Sequence, residues 1–301
     1  MNNGFLIVNK PAGRTSSDAV VYVRKRLPKG TPVGHGGTLD PEASGVLPVC
    51  VGTATRLFDY IIDKRKTYVA RLKLGVETDT QDATGQVVSV LPVKAGETEV
   101  RAVLKDFIGE IGQVPPMYSA LKRDGQRLYK LARRGETVAL EPRKCRVDSI
   151  EYLGCEGDGV HLLRIDCGKG VYIRTLCHDI GKALGCGGHM LTLERTAAGI
   201  FGIEDALSLE EIDRLAQSGG LEGALLPLDA PLGHLPAVHV GVRCRHAVLN
   251  GNPLKAAWLD KPAPACDAVR VYLDGAFAGI GQPQPDGSVK FKAMLYRENE
   301  P

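Results

Sequence analysis

Aromatic residues are scarce in this chain of 301 residues: they make up 5% of it, with a single tryptophan, Trp258. Any core must therefore be largely aliphatic, and a hydrophobic content of 44% is enough to build one without metal or disulfides. There is no run of ~18 apolar residues that would read as a membrane span. The apolar stretch near the N-terminus is cut by Asn9-Lys10-Pro11, which leaves it too short for a secretory signal. The eight cysteines are scattered and contain no Cys-x-x-Cys pair, a pattern that predicts reduced thiols in a cytosolic protein. Cys177-His178 and Cys186-x-x-His189 match no standard zinc spacing. Also absent are a Gly-x-x-x-x-Gly-Lys-Ser/Thr loop, a dinucleotide fingerprint and a Gly-x-Ser-x-Gly elbow, so the chemistry expected is free of cofactors.

A strong overall charge is missing too. The formal net charge is +3, from 38 basic and 35 acidic residues, too mild to point to nucleic acid by itself. Its distribution says more. Between Gln113 and Arg146 stand Lys122, Arg123, Arg127, Lys130, Arg133, Arg134, Arg143, Lys144 and Arg146, against Asp124, Glu136 and Glu141. That segment is either a footprint for phosphates or a solvated face.

The pattern along the chain predicts an α/β domain with much antiparallel sheet. Phe5 to Val8 and Val46 to Val51 read as buried strands. From Lys66 to Val76 the chain alternates: Tyr68, Ala70, Leu72 and Leu74 share one face, and Val69, Arg71 and Lys73 the other. Residues Thr15 to Ser17 offer caps for a helix carrying Val20, Val21, Val23 and Leu27, and Thr98 offers one for a helix reaching Phe107. Ile173, Leu176, Cys177, Ile180, Ala183 and Leu184 keep helical spacing, with Gly185 as the stop. Prolines and glycine between Pro227 and Gly233 suggest a linker. Beyond it, short strands split by Asp274-Gly275 and Asp286-Gly287 predict a small β-rich domain from about 235.

The densest stretch is Gly34-His35-Gly36-Gly37-Thr38-Leu39-Asp40-Pro41, followed by small residues and Val46-Leu47-Pro48-Val49. It sets one acid between a glycine-rich approach and a proline. Asp40 is either the former of an Asx-type turn or a reactive carboxylate that needs a cation to keep it ionised. Arg174 is the candidate cation. It falls in the first turn of a helix, where the macrodipole disfavours a positive charge by about 0.3–1 kcal/mol. A tolerated surface arginine is the alternative. Tyr68 is either core or a platform for a base, and His35 either an acid/base group or an ordinary loop residue.

These residues carry a specific resemblance. The run from Gly34 to Val49 is similar to the signature of the TruB family, the tRNA pseudouridine-55 synthases. So are Asn9-Lys10-Pro11-x-Gly13-x-Thr15-Ser16-Ser17, Lys66-Thr67-Tyr68 through Thr78-Asp79-Thr80-x-Asp82-x-x-Gly85, Gln113 through Lys122, and Gly170-Val171-Tyr172-Ile173-Arg174-Thr175-Leu176. The resemblance spans about residues 4 to 200. It implies a pseudouridine-synthase fold of mixed α/β class, with a large, mostly antiparallel sheet flanked by helices. The catalytic domain would cover 1–232, with a basic RNA-binding insertion at 113–146. A small PUA-like domain would cover 235–301.

The implied activity is isomerisation of one uridine in the T-loop of tRNA to pseudouridine, with base flipping and with neither cofactor nor metal. The implied partner is the T-arm of tRNA, met by a cytoplasmic monomer that needs no protein partner and no membrane. Asp40 falls on the catalytic aspartate, Tyr68 on the tyrosine that stacks on the target base, and Arg174 on the arginine pairing with the aspartate. Lys10, His35, Tyr172 and Leu193 fall on residues around the base. Lys122, Arg127 and Arg134 represent the phosphate contacts of the insertion. A guide-RNA-dependent relative and a catalytically idle tRNA-folding protein are the alternatives. The Val46 to Val49 continuation and the lack of a long basic extension argue against the first, and the intact Asp40, Tyr68 and Arg174 set argues against the second.

Overall fold

The computed structural model describes residues 3–60, 65–116, 118, 122–123, 126–127, 131, 134, 136, 138 and 140–296. In chain order the first half holds β1 (Gly4–Lys10), α1 (Ser16–Arg24), β2 (Val33–His35), β3 (Ser44–Val51), β4 (Lys66–Leu74), β5 (Val76–Thr78), β6 (Val87–Val90), α2 (Glu97–Leu104), β7 (Gly109–Gln113), β8 (Lys122–Arg123) and β9 (Gln126–Arg127). The second half holds β10 (Arg143–Gly157), β11 (Val160–Cys167), α3 (Ile173–Ala183), β12 (Gly188–Ala198), β13 (Phe201–Gly202), α4 (Leu209–Ser218), β14 (Ala237–Val240), α5 (Arg245–Leu249), β15 (Val269–Leu273), β16 (Ala276–Pro283) and β17 (Val289–Met294). No helix among the described residues is long and apolar enough to cross a membrane.

Nine of these strands form one sheet in the order β1-β3-β12-β4-β11-β10-β7, with β2 paired to β3 and β13 to β12. The β3–β12 pair is parallel and the others are antiparallel. Mixed α/β architecture with a large, mostly antiparallel sheet is thus as expected.

The strands near β1 read as unbroken apolar runs because both of their faces are covered. On one face Leu6, Val8, Leu47 and Val49 join β4 and all four helices α1 to α4 in the main core. On the other face Phe5, Ile7, Val46 and Cys50 pack with Ala268, Ile280, Ala293 and Leu295 of the C-terminal region. By contrast, β4 has one dry face, so Tyr68, Ala70, Leu72 and Leu74 are buried while their neighbours are half-exposed.

The C-terminal strands form a second sheet, β14-β15-β16-β17. Asp274 and Gly275, with φ of 50° and 83°, make the tight turn between β15 and β16 that Asp-Gly predicts. The stretch read as a linker is no loose tether. Ala230–Leu232 is a short 3-10 turn with Pro231 and Leu232 buried. The Tyr272 hydroxyl donates to Asp229 at 2.7 Å, fastening that turn to β15.

Two helix limits differ from expectation. The cap of α2 is Gly96 rather than Thr98: the Glu99 carboxylate accepts from the Gly96 N–H at 2.9 Å, which starts the helix at Glu97. Helix α1 stops at Arg24. Arg26 and Leu27 donate to the carbonyls of Val23 and Arg24, tightening the last turn, and Leu27 is buried beyond the helix.

Strand register sets the place of the site. Across the sheet Lys10 lies opposite Gly45, Gly45 opposite Arg195, Arg195 opposite Tyr68, and Tyr68 opposite Ile165. On the far side Arg143 lies opposite Gln113. The loops that follow β1 and β11, the loop that precedes β3, and the 113–143 segment therefore emerge at one end of the sheet. Gly45 is required in this row: its φ is +102°, and a Cβ there would lie 2.2 Å from the Arg195 carbonyl oxygen.

Candidate active site

The loop before β3 is pinned on both sides of Asp40. Ser16, buried at the start of α1, accepts from the Leu39 N–H at 2.8 Å and donates to the Leu39 carbonyl at 3.0 Å. The Pro41 carbonyl accepts from the Gly13 N–H at 2.9 Å and from the Lys10 ammonium at 3.0 Å. The Ala43 N–H closes a turn onto the Asp40 carbonyl. The turn reading of Asp-Pro therefore holds for the backbone, and the Asp40 carboxylate is left free to point outward.

Arg174 meets that carboxylate. Its Nε lies 2.9 Å from Oδ2 of Asp40. The pair is lopsided: the Arg174 side chain is 6% exposed and that of Asp40 40%. The rest of the guanidinium is bound on the protein side. Nη1 donates to the Thr80 carbonyl and to Oδ2 of Asp82, both at 3.3 Å, and Nη2 to the Tyr118 carbonyl at 2.9 Å. A buried cation at a helix start is thus offset by two carboxylates and two carbonyls.

Asp82 is the residue that the sequence analysis passed over. Its Oδ1 accepts from the Thr80 hydroxyl at 2.7 Å, the Thr84 N–H at 3.0 Å and the Thr84 hydroxyl at 2.6 Å. Its Oδ2 is thereby aimed at Arg174. The Thr-Asp-Thr-x-Asp-x-x-Gly pattern was the available signal, because an aspartate so heavily bonded to its own loop has one oxygen to spare.

The start of α3 is also held. Gln113, buried at the end of β7, accepts from the Tyr172 N–H at 2.9 Å and donates to the Tyr172 carbonyl at 3.2 Å. Tyr172 itself is half-buried at the helix cap.

Tyr68 sits behind the acid with 8% exposure. Burial pushes its phenol pKa up against the opposing charge of Arg195, so the hydroxyl stays protonated at neutral pH. Leu193 on β12 lies opposite Ala70 and is buried in the same core. Lys10 is fully buried beneath the loop rather than beside an open cleft. Its ammonium donates to the carbonyls of Pro11, Arg14 and Pro41 at 2.8, 2.6 and 3.0 Å. Burial lowers its pKa to about 8, against the pull of Glu42 and Asp40. His35 ends β2; burial and the charge of Arg195 lower its pKa, so the ring is neutral at pH 7.

The structure brings Asp40, Tyr68, Arg174 and Lys10 together, and adds Asp82. Of the insertion's cations, the described ones stand apart from that point. Arg134 is exposed and engaged by Gln126 at 2.7 Å and Glu136 at 2.9 Å. Lys130 and Arg133 lie outside the described residues, as do the side chains of Lys122, Arg123 and Arg127. Lys144 and Arg146 pair with Glu110 and Asp148 at 2.8 and 2.7 Å, one partner outside the segment and the other just past it. All of these pairs are exposed and worth little, so an arriving phosphate can replace either acid.

At this end of the sheet a carboxylate pairs with an anchored arginine, and the fold that carries them is that of a pseudouridine synthase. Two solved structures share this fold. A chain in an H/ACA RNP bound to a substrate RNA containing 2'-deoxyuridine is 27% identical with a TM-score of 0.75, covering 98% of this chain and 86% of that one. A chain in a Cbf5-Nop10-Gar1 complex is 30% identical with a TM-score of 0.71, covering 94% and 79%.

Sequence comparison narrows the class. Residues 25–173 match the TruB family pseudouridylate synthase N-terminal domain, and 174–233 the tRNA pseudouridylate synthase B C-terminal domain. Curated relatives called tRNA pseudouridine synthase B include that of Stutzerimonas stutzeri, 43% identical over 98% of this chain and 96% of the relative. That of Dechloromonas aromatica is 44% identical over 97% and 95%. The chain belongs to the TruB family.

Proposed function

We infer that the chain is a tRNA pseudouridine synthase that isomerises the uridine at position 55 of the T-loop. The observation that carries this reading is the Arg174 guanidinium, anchored on Asp82 and offering its Nε to the exposed carboxylate of Asp40. The relatives named for tRNA are 41–44% identical, against 26–30% for chains from H/ACA complexes, which favours free tRNA over a guide-RNA particle.

The reaction is an isomerisation and needs no redox partner. The bond from ribose C1′ to uracil N1 breaks, the base turns, and a C1′–C5 bond forms. The proton on C5 leaves and N1 gains one. Asp40 enters as an ionised carboxylate, whether it attacks the sugar, attacks the base or removes a ribose proton. Arg174 orients it through a charge-assisted hydrogen bond. The uridine is flipped out of the T-loop at a cost of a few kcal/mol and stacks on Tyr68, with Leu193 beneath it. Lys122, Arg127 and Arg134 meet backbone phosphates, which position the RNA without reading its sequence.

Residues 1–232 form the catalytic unit. Residues 235–301 form a PUA-like unit that grips the tRNA away from the T-loop. The enzyme works in the cytoplasm as a monomer without an obligatory protein partner.

The test uses tRNA with tritium at uracil C5. The wild-type chain releases tritium and Asp40→Asn does not. Full release by Asp40→Asn would sink the assignment.

A further inference from the structure

We propose that Arg195 is a positioning residue for this reaction, clasping both stems of the loop that presents Asp40. The proposal rests on the reading that Asp40 is the reactive acid.

Arg195 is 0% exposed, on β12 at the centre of the sheet. Its Nε donates to the Val46 carbonyl at 2.7 Å, near the start of β3 after the loop. Its Nη1 and Nη2 donate to the carbonyls of Thr38 and Gly37 at 3.3 and 3.4 Å, where the loop arrives. One planar fork therefore ties residues 37 and 38 to residue 46, and Asp40 lies between them. Lys10 and Ser16 hold the apex from the other side. Among the described residues no carboxylate forms an ion pair with Arg195. Its hydrogen-bond partners are the three carbonyls. A cation buried on neutral dipoles is costly to fold, so a part that only filled space would be better made from apolar groups.

The charge has a direction of action. Arg195 lowers the pKa of Lys10, His35 and Lys66, and it opposes the upward push that burial gives Tyr68. The other charged groups acting on Lys10 are Glu42 and Asp40 on the loop and Asp18 on α1, all of which raise it. Removing the Arg195 charge therefore shifts the Lys10 titration upward, whereas a lysine in its place does not.

The experiment compares Arg195→Gln and Arg195→Lys with wild type. Three readouts are taken: single-turnover rate on tRNA, tRNA affinity, and titration of Lys10 followed by NMR on protein labelled with 15N-lysine. The expected rate loss is about 100-fold for Gln, as for a reacting group misplaced by ~1 Å. It is smaller for Lys, and tRNA affinity stays within about threefold of wild type in both. The Lys10 titration moves up in Gln and stays put in Lys. That titration needs no tRNA, so it can be read even if the wild-type chain proves inactive and the functional reading fails. Should Arg195→Gln not fold, the Lys variant decides by its rate. A wild-type rate in either folded variant, a loss confined to tRNA affinity, or an unmoved Lys10 titration in folded Gln overturns the proposal.

Discussion

Raising the pH from 7 to 10 is expected to stabilise this fold through Lys10 while silencing its site. Lys10 is fully buried, and its pKa falls from the ordinary 10.5 to about 8. Below pH 8 the lysine is charged in both the folded and the unfolded chain. Between pH 8 and 10.5 the unfolded chain holds a proton that the folded chain has released. Stability then rises with pH, by ~1.4 kcal/mol per pH unit and about 3 kcal/mol in all.

Function runs the other way. A neutral amine has two N–H groups for the three carbonyls of Pro11, Arg14 and Pro41, and each charge-assisted bond is worth about 1.5–3 kcal/mol. The loop that carries Asp40 slackens as the proton leaves. The assay is urea unfolding of wild type and Lys10→Met from pH 7 to 10, with single-turnover rates over the same range. Taking the difference removes the buried thiols of Cys50, Cys167 and Cys177, pushed up to about 12 in both chains. Wild type should gain stability relative to Lys10→Met above pH 8, and its rate should show an alkaline limb near that pH. A stability difference that is flat or falls with pH, or a rate unchanged through pH 9.5, refutes the reasoning.

Asp82→Asn leaves Arg174 with the exposed Asp40 as its one carboxylate; single-turnover kinetics should slow by about 10- to 100-fold with tRNA affinity kept, because a displacement of up to ~1 Å costs about 10²-fold. A wild-type rate would mean that Thr80 and Tyr118 suffice as anchors. Gly45→Ala puts a methyl 2.2 Å from the Arg195 carbonyl oxygen at a φ of +102°, and thermal unfolding should register a loss of about 3 kcal/mol or more. An unshifted melting temperature would contradict the close approach of β3 to β12. Replacing Lys122, Arg127 and Arg134 together by glutamine should weaken tRNA binding and flatten its logarithmic salt dependence by about two to three. An unchanged slope would return that segment to a solvated face.

Much of the fold was legible because local patterns and tertiary burial agree. Strand β4 alternates since only one of its faces is dry, and the apolar stripe of α3 faces that same core. The partnership of Asp40 with Arg174 was legible from an arginine placed against its own helix dipole, read together with the family motif. The rest depended on distant strands. The pattern around Asp82 marks an aspartate bonded to its own loop, but only the folded chain brings it against Arg174. Lys10 and Arg195 are charged residues, which sequence reasoning sends to a surface or a cleft; both are 0% exposed because the folded loops, with β3 at Val46, supply the carbonyls that receive them. The basic count from Gln113 to Arg146 also overstated the free charge. The pairing of β10 with β7 sets Lys144 beside Glu110, a residue beyond the segment that was counted.

The unequal exposure of the Asp40–Arg174 pair makes the substrate part of the site's electrostatics. Arg174 is already dry, while Asp40 still faces water, which screens their attraction. An RNA that covers Asp40 removes that water and strengthens the pull between the two charges without moving either one. Oligonucleotides long enough to reach the pocket but too short to close over it would dock and turn over slowly. The length of the RNA would then be felt in kcat more than in KM.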